Sequence, residues 1–281
     1  MQFKIAILIT CHNRIKKTLD CLRLLHQAVH ESGVYFDIFL VDDGSTDGTS
    51  SAVNEKFPFI KIINGTGNLF WNQGMRLAWK TAISHGSNYD YFLWLNNDSF
   101  LEKDALIHLF DCYNKYKKVN NKEAIIVGAC KQNIDSSIFS YGLKIYERNI
   151  VPNGHFQTGN MMNGNVVLVS NIIFNKIGIL SEKYTHAMGD IDYGLRAIEA
   201  GFDLVSTKKY VAICESNGSL PNWCNPKISL KKRWEFLHSP LGLNLKEYKV
   251  FIKRFWPKIY FLSILKIYLR FLFPNSYNKL N

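Results

Sequence analysis

The residues best placed to do chemistry in this chain are carboxylates that follow short apolar runs. Asp42 and Asp43 close the run at 36–41 within VDDGSTDGT, and Asp98 follows the run at 91–95 within LWLNNDS. A fixed carboxylate at a strand end can accept hydrogen bonds from a ribose hydroxyl or a pyrimidine N–H. A hard cation such as Mg²⁺ or Mn²⁺ takes oxygen ligands and shares them with substrate phosphates. Asp98 with the amide oxygen of Asn96 makes a partial set for such an ion. Both sites also have a plain structural use, since Asp and Ser build turns and cap helices.

Further along, Asp190 stands in HAMGDIDYGLRA at the start of a helical pattern. There it either caps the helix or projects into a cleft as a general base. Asp192 and Arg196 are spaced i,i+4 and suit a helix-surface pair. His186 is a second base candidate. The stretch GTGNLFWNQG at 65–74 precedes another helical pattern. It matches neither a Walker loop nor the dinucleotide fingerprint. Its Gly and Asn residues suit backbone approach to a nucleotide, or simply a loop leading into a helix. Trp71 either stacks on a ring or packs.

These residues need a scaffold that converges strand ends. The first half alternates between the two periods. Apolar runs at 3–9, 36–41, 59–63, 91–95 and 124–127 read as buried strands. Leu19, Leu22, Leu25 and Val29 repeat at helical spacing and Gly33 stops them; Met75, Ala78, Trp79 and Ala82 make a second stripe, and Leu106, Leu109, Phe110 and Tyr113 a third. Such alternation predicts an α/β fold with a mostly parallel central sheet flanked by helices. Ligands bind such sheets beyond the carboxyl ends of the strands. The second half is less regular: a strand is expected within 138–146, a loop at 152–164, a strand at 166–169 and a helix at 190–200 closed by Gly201.

With 281 residues, 47% of them hydrophobic, the chain is long enough to bury a substantial core. Six cysteines lie at 11, 21, 112, 130, 214 and 224 with no zinc-like spacing. The first residues do not make a secretory signal, so reduced thiols and a cytoplasmic location are expected. The net charge is +11, which suits phosphate-bearing substrates or an anionic membrane. A boundary is expected near 221–226. Beyond it, basic and aromatic residues interleave in KVFIKRFWPKIYFLSILKIYLRFLF, too interrupted to span a bilayer. The segment reads as an amphipathic element on a membrane surface or as a helical lid. No nucleic-acid motif accompanies the charge.

Taken in order, TCHNR, VDDGSTDGT, GNLFWNQGM, LNND and GDIDYGLR resemble the motifs of inverting family 2 glycosyltransferases of the GT-A fold. The resemblance covers about residues 1–215 and is nearest to rhamnosyltransferase-like enzymes of bacterial surface polysaccharide assembly. It implies a GT-A catalytic domain at 1–220, with a nucleotide-binding half at 1–100 and an acceptor half at 101–220, and a helical C-terminal extension at 221–281. It also implies roles. Thr10 and Arg14 would line the nucleotide pocket; Asp43, with Asp42 beside it, would hold base or ribose; Asn68, Asn72 and Asn97 would lie near the nucleotide. Asp98, with Asn96, would bind Mn²⁺ or Mg²⁺ at the diphosphate, and Asp190 would be the catalytic base. The donor would be a UDP- or dTDP-sugar and the acceptor a saccharide, lipid-linked at the inner face of the membrane. Three positions depart from the family pattern: Asn96 replaces the first carboxylate of the DxD motif, Gly189 replaces the Glu of Glu-Asp, and Cys214-Glu215 occupies a region where many relatives carry His. A sugar-phosphate nucleotidyltransferase is a rival, disfavoured by Cys11-His12-Asn13-Arg14 after the first strand. A sugar-nucleotide or glycan-binding protein without turnover is another.

Overall fold

A computed structural model describes residues 3–216, 218 and 220–277. The core is a nine-stranded sheet between helical layers. Its N-terminal part contains β1 (Lys4–Cys11), α1 (Ile15–Ser32), β2 (Tyr35–Asp42), α2 (Thr49–Lys56), β3 (Lys61–Asn64), α3 (Phe70–Ser84) and β4 (Tyr91–Leu95). Then follow β5 (Phe100–Leu101), α4 (Ala105–Asn120), β6 (Ala124–Lys131), β7 (Leu143–Ile145), β8 (Arg148–Asn149), β9 (Gln157–Gly159), β10 (Met161–Met162), β11 (Val166–Ser170), α5 (Asn171–Ile177), α6 (Gly189–Glu199) and β12 (Asp203–Ile213). The C-terminal part is helical: α7 (Leu230–His238), α8 (Leu245–Phe255), α9 (Tyr260–Leu272) and α10 (Pro274–Tyr277).

The main sheet runs β3-β2-β1-β4-β11-β6-β12-β5, with β9 on β12. Strands β3, β2, β1 and β4 are parallel neighbours, while β11 runs against both β4 and β6. The expected mostly parallel α/β sheet is therefore present. Alternation explains why the middle of β1, residues 5–9, is apolar at every position. Ile5, Ile7 and Ile9 enter one core with Leu22 and Leu25 of α1 and Leu106 and Leu109 of α4. Ala6 and Leu8 enter the opposite core with Met75, Ala78 and Trp79 of α3. Successive residues of a strand point to opposite faces, so a strand covered on both sides must be apolar at every position.

Strand order reverses at β1, with β2 on one side and β4 on the other. Register aligns Cys11 with Asp42, and Asp42 with Asn64. The strand ends that carry Asp42–Asp43 and Asn96–Asp98 thus flank the crevice where α/β sheets bind ligands.

Several elements differ from the sequence expectation. The strand expected at 59–63 forms at Lys61–Asn64, because Phe57 and Pro58 belong to a turn in which Ile60 N–H donates to the Phe57 carbonyl at 3.0 Å. Of 138–146 only Leu143–Ile145 is a strand, with Phe139 bridging to Lys131. The expected loop at 152–164 carries β9 and β10. The longest strand, β12, was not anticipated. Its centre is polar, and its pairing with β6 shifts register between Ser206 and Tyr210 and again before Ala212. Thr207 repairs that gap: its hydroxyl accepts from Ala129 N–H at 3.0 Å and donates to the Lys209 carbonyl at 2.9 Å.

Trp223, Cys224, Leu237, Leu245 and Phe271 form a separate small core for the C-terminal helices. A second cluster joins Phe251 and Ile252 of α8 to Tyr184 and Met188, just before α6. All six cysteines are buried free thiols. Among the described residues no helix is long and apolar enough to cross a membrane.

Candidate active site

The rim is knitted from β1, β2 and the turns beyond them. Asp42 accepts from Ser45 N–H at 2.9 Å and from the Ser50 hydroxyl, fixing the 45–50 turn. The buried Asp43 carboxylate accepts from the backbone N–H groups of Gly67 at 2.7 Å, Leu69 at 2.8 Å and Phe70 at 2.9 Å. Its own carbonyl is bonded to His12 Nδ1 at 2.7 Å. Asn13 joins the same knot through Ser45 and Thr46. Asp43 therefore shapes the loop before α3, using three of the roughly four acceptor sites of a carboxylate.

That loop delivers α3 to the centre of the site. Phe70, its first residue, has φ +55°, a conformation that persists in a non-glycine residue only when the surroundings impose it. Asn13 (φ 48°) and Met188 (φ 68°), also at the rim, share this feature. The Trp71 indole N–H donates to Asn96 Oδ1 at 2.6 Å. Trp71 N–H also donates, at a long 3.4 Å, to His186 Nδ1. Burial, aided by the nearby Arg14 cation, pulls the His186 pKa down, favouring the neutral ring that accepts this bond. The Asn72 amide donates to the carbonyls of Ser181, at 2.9 Å, and Tyr184, and the N–H groups of Asn72 and Gln73 reach the Thr185 carbonyl at 3.1 and 3.3 Å. The start of α3 thus holds the loop that precedes α6.

Asp190 lies on the other side of that loop. Its two oxygens accept from Ile191 N–H and Gly164 N–H, each at 2.9 Å. Burial pushes its pKa up, and the two N–H bonds offset only part of that push. Gly164 is compelled: a Cβ there would overlap the Trp71 indole and lie 3.3 Å from Asp190 Cβ. Gly189 is compelled as well, because a Cβ would overlap the Asn72 side-chain oxygen. The departure from Glu at 189 therefore has a steric cause, since Asn72 fills the space.

At the end of β4, Asp98 pairs with Arg14 at 2.7 Å, and Cys214 Sγ lies 4.0 Å from its other oxygen. Burial, and then Asp98, push the Cys214 thiol up to about 11, so it stays protonated at neutral pH. Among the described residues no group of three or more His, Cys, Asp or Glu side chains could hold a metal. The donor chemistry still fits a dication of the Mg²⁺ type, which is often held by one or two carboxylates plus substrate phosphates. Asp98 supplies the carboxylate. The Asn96 oxygen, already accepting from Trp71, keeps one lone pair.

The positions singled out from the sequence therefore share one rim but not one role. Arg14, Asn68 and Asp98 reach solvent there; Thr10, Asp42, Asp43, Asn72 and Asn97 are buried. Asn97 donates to Thr18 Oγ1 of α1 at 3.0 Å. Trp71, Asn72, Gly164 and Gly189 connect the Asp43 loop to Asp190.

The sequence profile of Glycosyl transferase family 2 matches residues 6–162. The chain belongs to glycosyl transferase family 2. This glycosyltransferase superposes on the mannosyltransferase PcManGT from Pyrobaculum calidifontis in complex with GDP-Man and Mn²⁺ at a TM-score of 0.57 and 12% identity, over 88% of this chain and 69% of that one. It also superposes on residues 1–349 of S. aureus TarS in complex with UDP-GlcNAc at a TM-score of 0.52 and 13% identity, over 88% and 70%. At such identities the likeness concerns the GT-A fold. No curated protein matches the glycosyltransferase significantly.

Sequence reasoning did not anticipate Glu247. Its carboxylate accepts from Thr185 N–H at 2.9 Å and from the Thr185 hydroxyl at 2.5 Å, bracing the loop next to Asp190 from α8. One signal was available: Glu247 is the only acidic residue between 236 and 281.

Proposed function

We propose that this glycosyltransferase moves a sugar from a UDP- or dTDP-sugar to a hydroxyl of a growing, lipid-linked bacterial polysaccharide, with inversion. The setting is the inner face of the cell membrane, and the kinship is with rhamnosyltransferase-like enzymes. The observation that carries the reading is the continuous set of contacts from Asp43 through Trp71 and Asn72 to Gly189 and Asp190. It holds a donor-side rim and a candidate base at fixed separation, as an in-line displacement needs.

Asp190 takes the proton of the acceptor hydroxyl as that oxygen attacks the anomeric carbon. Its raised pKa brings it closer to working pH, which improves a general base as long as it remains ionised. Attack from the face opposite the leaving diphosphate inverts the anomeric centre. Arg14 stands at Asp98 and places a cation where negative charge grows on the leaving group. Mn²⁺ or Mg²⁺, held by Asp98 and Asn96 with the phosphate oxygens, would supply Lewis-acid neutralisation of the same charge. Trp71, fixed by Asn96, presents its ring beside Gly164 and Asp190, where a sugar ring would pack.

The test is a thermal-shift series with nucleotide sugars, with and without Mn²⁺. A cognate donor at about 100 times its Kd stabilises the fold by about 2.7 kcal/mol. A shift with UDP- or dTDP-sugars, followed by nucleotide release on adding acceptor, supports the reading. A shift with no turnover under any acceptor points instead to a binding protein.

A further inference from the structure

We propose that the outward face of α9 docks the enzyme on an anionic lipid surface, with the helix lying in the plane of the interface. Two faces of α9 differ sharply. Ile264, Ile267, Tyr268 and Phe271 pack against the C-terminal core. Phe261, Leu265, Leu269 and Leu272 repeat at helical spacing on the adjoining, outward face and are 85%, 55%, 43% and 48% exposed. Leu262 and Phe273 widen that stripe. An apolar patch of this continuity marks an interaction surface.

Charge selects the occupant. Residues 248–281 contain seven Lys and Arg and no acidic residue. Lys258 and Lys266, both exposed, border the apolar stripe, and Lys253 is exposed at the end of α8. A second copy of the chain laid on the same face would bring lysine rows together. Anionic headgroups attract them, while the leucines and phenylalanines reach the acyl boundary. A helix of 13 residues can lie in this interface but is too short to span it.

The docking face belongs to the same body that braces the site. Tyr248 of α8 packs in the C-terminal core and also in the cluster containing Tyr184 and Met188. Glu247 of α8 bonds Thr185. An enzyme seated through α9 thus presents the Asp190 loop in a fixed relation to the lipid surface. This deepens the lipid-linked acceptor proposed above and rests on that reading for its purpose, but vesicle binding is measured without turnover.

The experiment is co-sedimentation of the full chain with phosphatidylcholine vesicles and with vesicles containing phosphatidylglycerol. The expected result is binding to the anionic vesicles only, weakened by salt. The double change Leu265→Glu and Leu269→Glu should abolish binding while leaving the melting curve and the donor-induced shift unchanged. Lys258→Gln and Lys266→Gln should each weaken binding about fivefold. Equal sedimentation of the Leu265→Glu, Leu269→Glu protein, or no sedimentation of the parent at low salt, overturns the proposal. A dimer in light scattering that this double change dissociates also overturns it, by assigning the face to a second copy. Failure of the parent protein to bind anionic vesicles, with its transfer to a soluble acceptor intact, would sink the docking surface and leave the proposed reaction standing.

Discussion

Asp43 and Asp190 are both rim carboxylates that accept backbone N–H bonds, yet they belong to regions built differently. Asp43 sits where parallel strands, short connections and one loop 24–27 residues ahead close on themselves. Asp190 sits in the first turn of α6, behind a loop held from afar: by Asn72, 112 residues before Tyr184, and by Glu247, 62 residues after Thr185. The region around Asp43 is thus a self-contained cradle, and the region around Asp190 is a clamp assembled from three distant segments. The comparison predicts that the proposed donor grip and the proposed base position can be damaged separately.

The largest expected effect is at the base. Asp190→Asn should lower transfer by about 10² to 10⁴-fold, read as kcat/KM, with donor-induced thermal shift retained. The pH profile sharpens the point. A half-buried carboxylate with a raised pKa must lose its proton to act, so kcat/KM should fall on acidification through a pKa above the ordinary aspartate range. The N-terminal part of the sheet answers to pH differently. Against the upward push of partial burial, bonds from Lys61, Tyr89 and Lys4 hold the Asp37 carboxyl down at about 2. A lowered folded pKa contributes stability that is lost only as pH falls from about 4 to about 2. Activity should therefore fail at a higher pH than this contribution to the fold, as circular dichroism and rate measured together would show.

Next in size, Asp43→Ala leaves three loop N–H groups without their acceptor. It should cost on the order of 3 kcal/mol in chemical denaturation and abolish the donor-induced shift. Glu247→Ala should do the reverse in kind. It should lower kcat roughly tenfold, the equivalent of one charged hydrogen bond at Thr185, with donor affinity unchanged. Equal loss of donor affinity in both variants would break the comparison. The smallest effect is expected for Asn96→Ala, which frees the Trp71 indole and removes one oxygen from the proposed metal site. It should raise the acceptor KM and the Mn²⁺ concentration needed for activity a few-fold each, about one neutral hydrogen bond.

Much of the cradle was legible in the sequence. The stretches 5–9, 38–41 and 91–95 are apolar at every position, and the last two lead straight into Asp42 and Asn96, because buried parallel strands admit polar groups mainly near their ends. The family followed from five ordered motifs. The clamp was harder to read. Strand β12 hides because its centre, Ser206 to Lys209, breaks the apolar pattern and is repaired by one threonine hydroxyl. The assignment of Asp43 to the nucleotide could not foresee that its oxygens meet three loop amides, since spacing does not report which N–H groups turn inward. Gly189 read as a missing carboxylate, and only the fold shows Asn72 filling its space. Glu247 stood out by charge alone, with nothing local to name Thr185 as its partner.

The central claim is that this rim binds a nucleotide sugar and that Asp190 activates the acceptor upon it. The most direct test measures donor affinity and nucleotide release side by side for the parent enzyme and Asp190→Asn, with acceptor present. The account predicts matching affinities and release below about 1% of the parent rate for the variant. Release by Asp190→Asn at the parent rate would contradict it.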